Sequence, residues 1–251
     1  MRTCQKELAL LLAESRALFF QEGLNLKDGR PTPYFVNFGL FRTGRLISEL
    51  GRIMADFLIE TATIDGFDVL VGPSYKGSAL AVSTAQALWA HHGIDKAFDY
   101  NRKEPKSHGE GSLGETLFVT GALTDGVRVL IIDDVVTTMA TKFEILGLLS
   151  EQATQKGYSV SSAGVALFLD RQQTTAVYGQ DGNPELGVKG QDSVKNFKLS
   201  TGLEVQTILG IRETVKYLAG ERIPVLQSGQ MAPLNSETID DLLAYLDLYG
   251  V

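Results

Sequence analysis

The sequence contains few of the residues that cross-link or anchor a protein chain. Its 251 residues include one cysteine, Cys4, so no disulfide can form within the chain and we expect a reducing environment. The adjacent His91 and His92 would point about 100° apart on a helix, which argues against a shared metal ion. No apolar run is long enough to span a bilayer, and residues 1–14 lack the layout of a secretory signal. We therefore expect a cytoplasmic protein with no membrane partner.

The sequence also has fewer basic than acidic residues. The 23 lysines and arginines are outnumbered by 30 aspartates and glutamates, which gives a net charge of −7. A protein that binds nucleic acid over a broad surface is usually basic, so we expect no nucleic-acid partner. Hydrophobic residues make up 44% of the chain, enough for a substantial core without cross-links. Anion binding stays possible wherever the cations are concentrated locally.

Segments with helical spacing alternate with short apolar runs along most of the chain. We predict helices at 5–22, 44–60, 77–91, 142–156, 212–219 and 236–248. We predict strands at 24–27, 34–36, 68–71, 97–100, 127–132, 160–169 and 205–209. This alternation predicts an α/β fold with a mainly parallel central sheet flanked by helices.

No break in composition forces a second independent domain. We expect residues 1–42 to form a small hood, to which C-terminal elements could contribute, and residues 43–251 to form the core. Residues 174–201 are polar and rich in glycine, so we predict an excursion from that core.

Four unusual segments follow predicted strands: 72–77, 102–111, 133–141 and 170–171. Ligands of open α/β sheets bind beyond the carboxyl ends of the strands. If the sheet is parallel, all four segments meet at one edge, where a single small molecule could contact them.

The first of these segments suits an anion. Gly72 and Gly77 allow backbone N–H groups to approach a ligand closely, Lys76 adds a positive charge, and a predicted helix begins beside them. A simple strand–helix turn with an exposed lysine is an equally good interpretation of this segment alone.

The second segment concentrates charge in a loop without apolar anchors. Arg102, Lys103, Lys106 and His108 lie within seven residues, among glycines. This composition suits a lid that closes over a negatively charged group, although most charge-rich loops are simply solvated. A solvated, charged loop without function is the alternative.

The third segment places two acids directly after the most apolar predicted strand. Asp133 and Asp134 would repel each other there unless a cation or a hydroxyl-rich ligand lies beside them. The threonines that follow, and the N–H groups of the next helix, suit a phosphate monoester. We prefer this interpretation to a simple acidic turn.

The four segments together resemble one enzyme family. The Asp-Asp segment resembles the phosphoribosyl-pyrophosphate (PRPP) signature of type I phosphoribosyltransferases. The stretches 26–35, 101–111 and 169–172 resemble the N-terminal orotate-binding segment, the catalytic loop and the late orotate-binding strand end of orotate phosphoribosyltransferases. The agreement in order and spacing extends from about residue 20 to residue 172.

The resemblance implies a function and a role for each matching residue. It implies the type I phosphoribosyltransferase fold and the joining of orotate to the ribose of PRPP, with release of pyrophosphate, in pyrimidine biosynthesis. Orotate would be held by Lys27, Phe35 and Arg171, and pyrophosphate by Tyr75 and Lys76. The ribose hydroxyls would be held by Asp133 and Asp134, and the 5′-phosphate by Thr137, Thr138 and Thr141. The closing loop would contribute Arg102, Lys103, Lys106 and His108.

The resemblance also implies a metal and a partner subunit. Mg²⁺ would be held mainly by the substrate, with Asp133 and Asp134 contributing through water. The 102–111 loop would be shared across the subunits of a homodimer.

The sequence departs from the family where the phosphate would bind. Met139 and Ala140 stand where the family usually has glycine and then a hydroxyl residue. This departure keeps open a catalytically silent regulator that senses PRPP. The other alternative is a transferase for another base, against which the cations Lys27 and Arg171 argue, because a neutral purine does not need them.

Overall fold

Nine strands and seven α-helices make up the computed structural model in its described residues, which are 1–103, 116–136 and 138–251. In chain order these elements are α1 (Thr3–Glu14), β1 (Leu18–Asn25), β2 (Pro31–Val36), α2 (Gly44–Glu60), β3 (Val69–Gly72), α3 (Lys76–His92), β4 (Ala97–Tyr100), β5 (Val127–Val136), α4 (Ala140–Lys156), β6 (Val160–Asp170), α5 (Ser193–Thr201), β7 (Val205–Gly210), α6 (Ile211–Gly220), β8 (Pro224–Gln227), β9 (Gln230–Pro233) and α7 (Ser236–Tyr249).

The main sheet has five strands in the order β4-β3-β5-β6-β7. Every pair of neighbours is parallel. β5 lies in the middle, and its residues 129–132 are all buried, as expected for a strand that is covered on both faces. The predicted α/β class, with a mainly parallel sheet flanked by helices, is confirmed.

Alternate residues of the central strands pack into two separate hydrophobic clusters. Leu70 and Leu130 join residues of α1, α2 and α3 on one face of the sheet. Val71 and Ile131 join residues of α4 and α5 on the other face. The two layers hold the carboxyl ends of β3, β5 and β6 in fixed positions, and the candidate site lies at those ends.

A second, smaller sheet is formed by strands from both ends of the chain. Its order is β2-β1-β8-β9, with β1 and β8 parallel and the two outer pairs antiparallel. The N-terminal strands therefore have C-terminal partners. The division of the chain at residue 42 stays a prediction.

The prediction of a helix over 5–22 is wrong. α1 ends at Glu14, and β1 begins at Leu18. Between them Arg16 adopts a left-handed conformation with φ of 59°, which breaks the helix. Leu18 and Phe20 are then buried while Phe19 is only partly so, which is the alternation of a strand. The apolar residues fit helical spacing by chance at this boundary.

The predicted excursion consists of an irregular segment followed by α5. Its first part is fixed to the C-terminal helix, because the N–H of Thr174 donates to the carbonyl of Tyr249 at 2.8 Å and the N–H of Gly187 donates to the Tyr249 hydroxyl at 2.9 Å. Within the part of the chain that the structure describes, no helix combines the length and apolar character needed to cross a membrane.

Candidate active site

The predicted site segments follow strands that are neighbours in the sheet. β5 pairs with β3 on one side and with β6 on the other, and Val136 at the end of β5 is in register with Asp170 at the end of β6. Gly72 at the end of β3 is in register with Tyr100 at the end of β4. The segments after all four strands therefore begin at the same edge of the sheet, as the sequence predicted.

The loop after β3 is tightly packed where its glycines lie. A Cβ at Gly72 would come within 1.9 Å of the carbonyl oxygen of Gly77, and a Cβ at Gly77 would come within 2.6 Å of Pro73. Ser74 fixes the loop from the side, because its N–H donates to Asn101 Oδ1 at 2.8 Å. This close packing accounts for a glycine at both positions.

The end of this loop presents positive charge to solvent. Tyr75 is 77% exposed, and Lys76, the first residue of α3, is exposed as well. The N-cap residue Tyr75 provides no side-chain capping hydrogen bond to α3, so the first backbone N–H groups and the helix dipole remain available to an anion.

The two adjacent acids near the carboxyl end of β5 are each paired with a lysine. Asp133 is buried and lies 2.5 Å from Lys142 Nζ, while Asp134 is partly exposed and lies 3.5 Å from Lys76 Nζ. The sequence predicted a cation or a hydroxyl-rich ligand beside these acids, and Lys142 was not among the predicted residues.

Burial raises the pKa of the Asp134 carboxyl above the ordinary aspartate value of 3.8, and the charge of Asp133 raises it further. The lysines Lys76 and Lys142 partly offset this effect. The ionised carboxylate of Asp134 therefore costs free energy in the folded chain, and a cation or hydroxyl groups of a ligand would relieve that cost.

This raised pKa predicts that Asp134→Asn stabilises the ligand-free protein at neutral pH. Because the pKa of Asp134 is raised in the folded state, its carboxyl lowers the free energy of unfolding only when it ionises. The wild-type protein therefore keeps its full stability below the ordinary aspartate pKa and loses stability as the pH rises through the folded-state pKa. Thermal unfolding between about pH 4 and about pH 8 should show a gain for the variant that grows with pH.

The matched control for this prediction is Asp68→Asn. Hydrogen bonds from Arg128 hold the pKa of Asp68 down to about 2, so this substitution should lower the melting temperature at neutral pH. A loss of stability in both variants would contradict the cost assigned to Asp134.

Met139 occupies the backbone conformation that glycine usually supplies. Its φ is 60°, its side chain is 1% exposed, and it packs in the cluster beneath α4. The bulk of methionine is therefore directed into the core, away from the exposed Thr138 and Thr141 at the start of the helix. The N-cap residue Met139 provides no side-chain capping hydrogen bond to α4, and Thr137 lies outside the described residues.

We predict that Met139→Gly is less stable than wild type but more stable than Met139→Ala. Both substitutions remove buried side-chain contacts worth about 3 kcal/mol. Only glycine relieves the cost of the left-handed conformation, about 1 kcal/mol. Urea unfolding of the three proteins tests this order. An alanine variant as stable as the glycine variant would show that the backbone at Met139 carries no such cost.

The arginine after β6 is buried with an unused donor. Arg171 is 5% exposed, and its Nη2 is one of three buried side-chain polar atoms without a hydrogen-bond partner in the described ranges. Its guanidinium carbon lies 5.0 Å from the centre of the Tyr34 ring and 5.8 Å from that of Phe35. The aromatic rings fix the orientation of this cation, which has no ion-pair partner among the described residues.

Lys27 lies in an exposed turn that Arg30 anchors. Arg30 is buried, pairs with Asp28 at 2.7 Å and donates to the carbonyl of Thr174 at 2.9 Å. The sequence analysis did not identify Arg30, whose contacts join the turn after β1 to the start of the 174–201 segment.

Both flanks of the predicted loop are held together by the end of β4. The buried Asp99 carboxylate accepts hydrogen bonds from the backbone N–H groups of Val119 and Thr120, and Arg102 N donates to the carbonyl of Leu117 at 2.8 Å. Nε of Arg102 is buried without a partner among the described residues, and Lys103 is exposed. Lys106 and His108 lie outside the described residues.

Comparison with known proteins agrees with this geometry. The model of the family "Phosphoribosyl transferase domain" matches residues 42–178. The orotate phosphoribosyltransferase of Chromohalobacter salexigens is 37% identical over 247 residues, which cover 98% of this chain and 95% of that protein. The one from Saccharophagus degradans is 34% identical over the full length of both.

Solved structures of orotate phosphoribosyltransferases have a similar fold. The crystal structure of orotate phosphoribosyltransferase from Francisella tularensis matches with a TM-score of 0.70 and 27% identity, covering 96% of this chain and 98% of that one. The Mycobacterium tuberculosis enzyme in complex with PRPP shares the fold, with a TM-score of 0.53, 16% identity and coverage of 85% and 93%. The type I phosphoribosyltransferase fold expected from the resemblance is confirmed.

Proposed function

The chain belongs to the orotate phosphoribosyltransferases of the phosphoribosyl transferase family, and on that premise we propose that it joins orotate to PRPP. The products are orotidine 5′-monophosphate and pyrophosphate, in the route to pyrimidine nucleotides. The observation that carries the choice of base is the buried, unpartnered Nη2 of Arg171 beside Phe35. Orotate has a carboxylate that can accept from this donor, whereas adenine, hypoxanthine and uracil have none.

Phe35 and Arg171 form the base side of the proposed site. The half-buried Phe35 offers an apolar surface, and the guanidinium beside it offers a charged donor. Lys27 supplies a second positive charge from the turn between β1 and β2. Two cations suit an anionic pyrimidine and would be unnecessary for a neutral base.

The sugar phosphate lies across the ends of β3 and β5 in this proposal. The 5′-phosphate binds at the start of α4, where the N-cap residue Met139 provides no side-chain cap to the N–H groups. Thr138 and Thr141 lie there, and Thr137 precedes them in the sequence. Asp133 and Asp134 orient the ribose hydroxyls. The loop at Tyr75 and Lys76 receives the pyrophosphate at the uncapped start of α3.

A ring nitrogen of orotate then displaces pyrophosphate from the anomeric carbon of the ribose. Negative charge grows on the departing pyrophosphate, so prearranged positive charge lowers the barrier. Lys76 is already beside the site, and Lys103 and Lys106 would come from the 102–111 loop with Arg102. His108 can donate a proton or hydrogen bond to the leaving group.

The acid pair fits a Mg²⁺ ion that is held mainly by the substrate. Among the residues that the structure describes, no group of three or more histidine, cysteine or acidic side chains could hold a metal ion. Of these two acids, Asp134 has the partly exposed carboxylate, which matches the preference of Mg²⁺ for one or two carboxylates together with phosphate oxygens and water. Bound there, the ion would supply further positive charge to the pyrophosphate.

The oligomer and the location of the protein are further parts of the proposal. We infer a homodimer in which the 102–111 loop of one subunit completes the site of the other. Support comes from the match of this loop to that of the family. The cytoplasmic location stays a prediction.

The conformation of Met139 weakens the alternative of a catalytically silent regulator that senses PRPP. This alternative was favoured by the departure at Met139 and Ala140, yet Met139 adopts the glycine-like conformation and buries its side chain. The start of α4 therefore remains open to a phosphate.

The test of the proposed function is an assay with protein, Mg²⁺, PRPP and each base in turn. We expect loss of the orotate absorbance only when PRPP is present, and no product from adenine, hypoxanthine or uracil. A product from one of these neutral bases and none from orotate would assign the protein to another base.

A further inference from the structure

Lys142 is a buried lysine that the reaction described above does not use. It is the third residue of α4 and is 2% exposed. Its Nζ lies 2.5 Å from Asp133 Oδ2 and 3.5 Å from the carbonyl oxygen of Val135. Asp133 is 7% exposed, so this is an ion pair inside the protein, unlike the exposed pair between Lys76 and Asp134.

Stability alone does not account for a lysine at this position. A buried ion pair loses the hydration of two charges, and well-packed apolar residues of similar volume often give an equally stable or more stable protein. A cation in the first turn of a helix also meets the positive end of the helix dipole. Both effects disfavour Lys142, and the carboxylate of Asp133 compensates for them.

The ion pair connects the two sides of the turn that starts α4. Asp133 and Val135 precede this turn, Lys142 follows it, and Met139 lies between them in the left-handed conformation. A single side chain therefore joins the end of β5 to the first turn of α4. A non-glycine residue in that conformation persists only when its surroundings hold it there, and this link is one such restraint.

The same lysine separates the roles of the two acids. The charge of Asp133 is balanced within the protein by Lys142, whereas Asp134 faces Lys76, whose side chain is 59% exposed and could move when a ligand arrives. Lys142 also adds positive charge beneath the uncapped start of α4, where a phosphate would be attracted.

We propose that Lys142 is a positioning residue that holds Asp133 and the start of α4 in the geometry that binds the phosphorylated ribose of the donor substrate. This inference rests on the proposed function for the identity of the donor, PRPP. It is specific to one half of the site, because no contact of Lys142 reaches Phe35 or Arg171 in the described structure.

The test compares Lys142→Gln with Lys142→Arg. Glutamine keeps a donor for Asp133 but removes the charge, whereas arginine keeps the charge. We expect Lys142→Gln to raise the Kd of PRPP with Mg²⁺, measured by calorimetry without orotate, about tenfold, or about 1.4 kcal/mol. The KM of orotate should change less than about twofold, and Lys142→Arg should recover most of the PRPP affinity. The matched control is Lys198→Gln, which removes a partly exposed lysine of α5 that pairs with Glu204. This substitution should change neither constant.

Unchanged PRPP affinity in folded Lys142→Gln would overturn the inference. So would an equal loss for both substrates together with a lower melting temperature, because that result indicates a purely structural role. If Lys142→Gln does not fold, the pair Asp133→Asn with Lys142→Met leaves no lone buried charge. It should be as stable as wild type and bind PRPP more weakly than Asp133→Asn alone, and equal PRPP affinity in these two variants would also overturn the inference.

The wild-type protein separates this inference from the proposed function. A wild type that binds PRPP but forms no product with orotate would remove the proposed function and leave the role of Lys142 open to the same calorimetry. A wild type that does not bind PRPP would overturn both.

Discussion

Arg171→Ala is expected to raise the KM for orotate roughly thirtyfold, which corresponds to about 2 kcal/mol for a hydrogen-bonded charged group. The Arg171 guanidinium is buried with Nη2 unpartnered, and the rings of Tyr34 and Phe35 hold its plane. A carboxylate that fills this position gains a charge-assisted bond without the need to order the arginine first. The KM for PRPP should change much less, since Arg171 contacts the base side of the site.

Two variants make this prediction specific. Arg171→Lys keeps the charge but loses the planar fork, so its KM for orotate should fall between those of wild type and Arg171→Ala. Arg128→Ala removes an exposed arginine at the opposite end of the sheet, where it pairs with Asp68, and should leave the orotate KM unchanged. Equal orotate KM values for wild type and Arg171→Ala would remove Arg171 from the site.

Lys106→Ala is expected to lower turnover about a hundredfold while the KM for orotate changes little. Its charge matters most as pyrophosphate departs, and the loss of one such stabilising contact costs about 3 kcal/mol. Lys106 lies outside the described residues, so the expectation rests on the match of its loop to the family and on the chemistry of the leaving group. Single-turnover kinetics with saturating substrates would measure the effect, and unchanged turnover would reject this role.

Mixed subunits extend the prediction to the dimer. If each site combines Asp134 of one subunit with Lys106 of the other, a heterodimer of Lys106→Ala and Asp134→Asn contains one intact site. Activity should then reappear when two inactive variants are mixed and allowed to exchange subunits. Confirmed heterodimers without any recovery of activity would argue against a shared site.

The sequence predicted the main sheet well because its signals are local. The helix over 44–60 was predicted with the bounds that α2 has, and in the structure the Thr43 hydroxyl caps it by accepting from Leu46 N. The buried strands stood out as apolar runs between helices. Where pairing depends on distant segments, as for β8 and β9 beside β1, the local pattern held no comparable signal and the hairpin was missed.

The residues of the candidate site also differ in whether the local sequence could predict them. Lys76, Asp134 and Arg171 could be predicted as candidates because each follows a predicted strand and matches a family motif. Lys142 and Arg30 could not, because a lysine or arginine in a polar stretch is usually solvated. In the folded chain both side chains are buried beside a polar partner. Lys142 pairs with Asp133, and Arg30 donates to the carbonyl of Thr174. The roles assigned to the site residues stay predictions until they are measured.

The central claim is that residues from separate strands surround one phosphorylated sugar and its base. A crystal structure of the protein with orotidine 5′-monophosphate tests it most directly. We expect the base beside Phe35 with its carboxylate on Arg171, the ribose hydroxyls at Asp133 and Asp134, and the phosphate at the start of α4. A nucleotide bound elsewhere, such as in the cleft of about 500 Å³ lined by Phe20, Gln227 and Thr238, would contradict it.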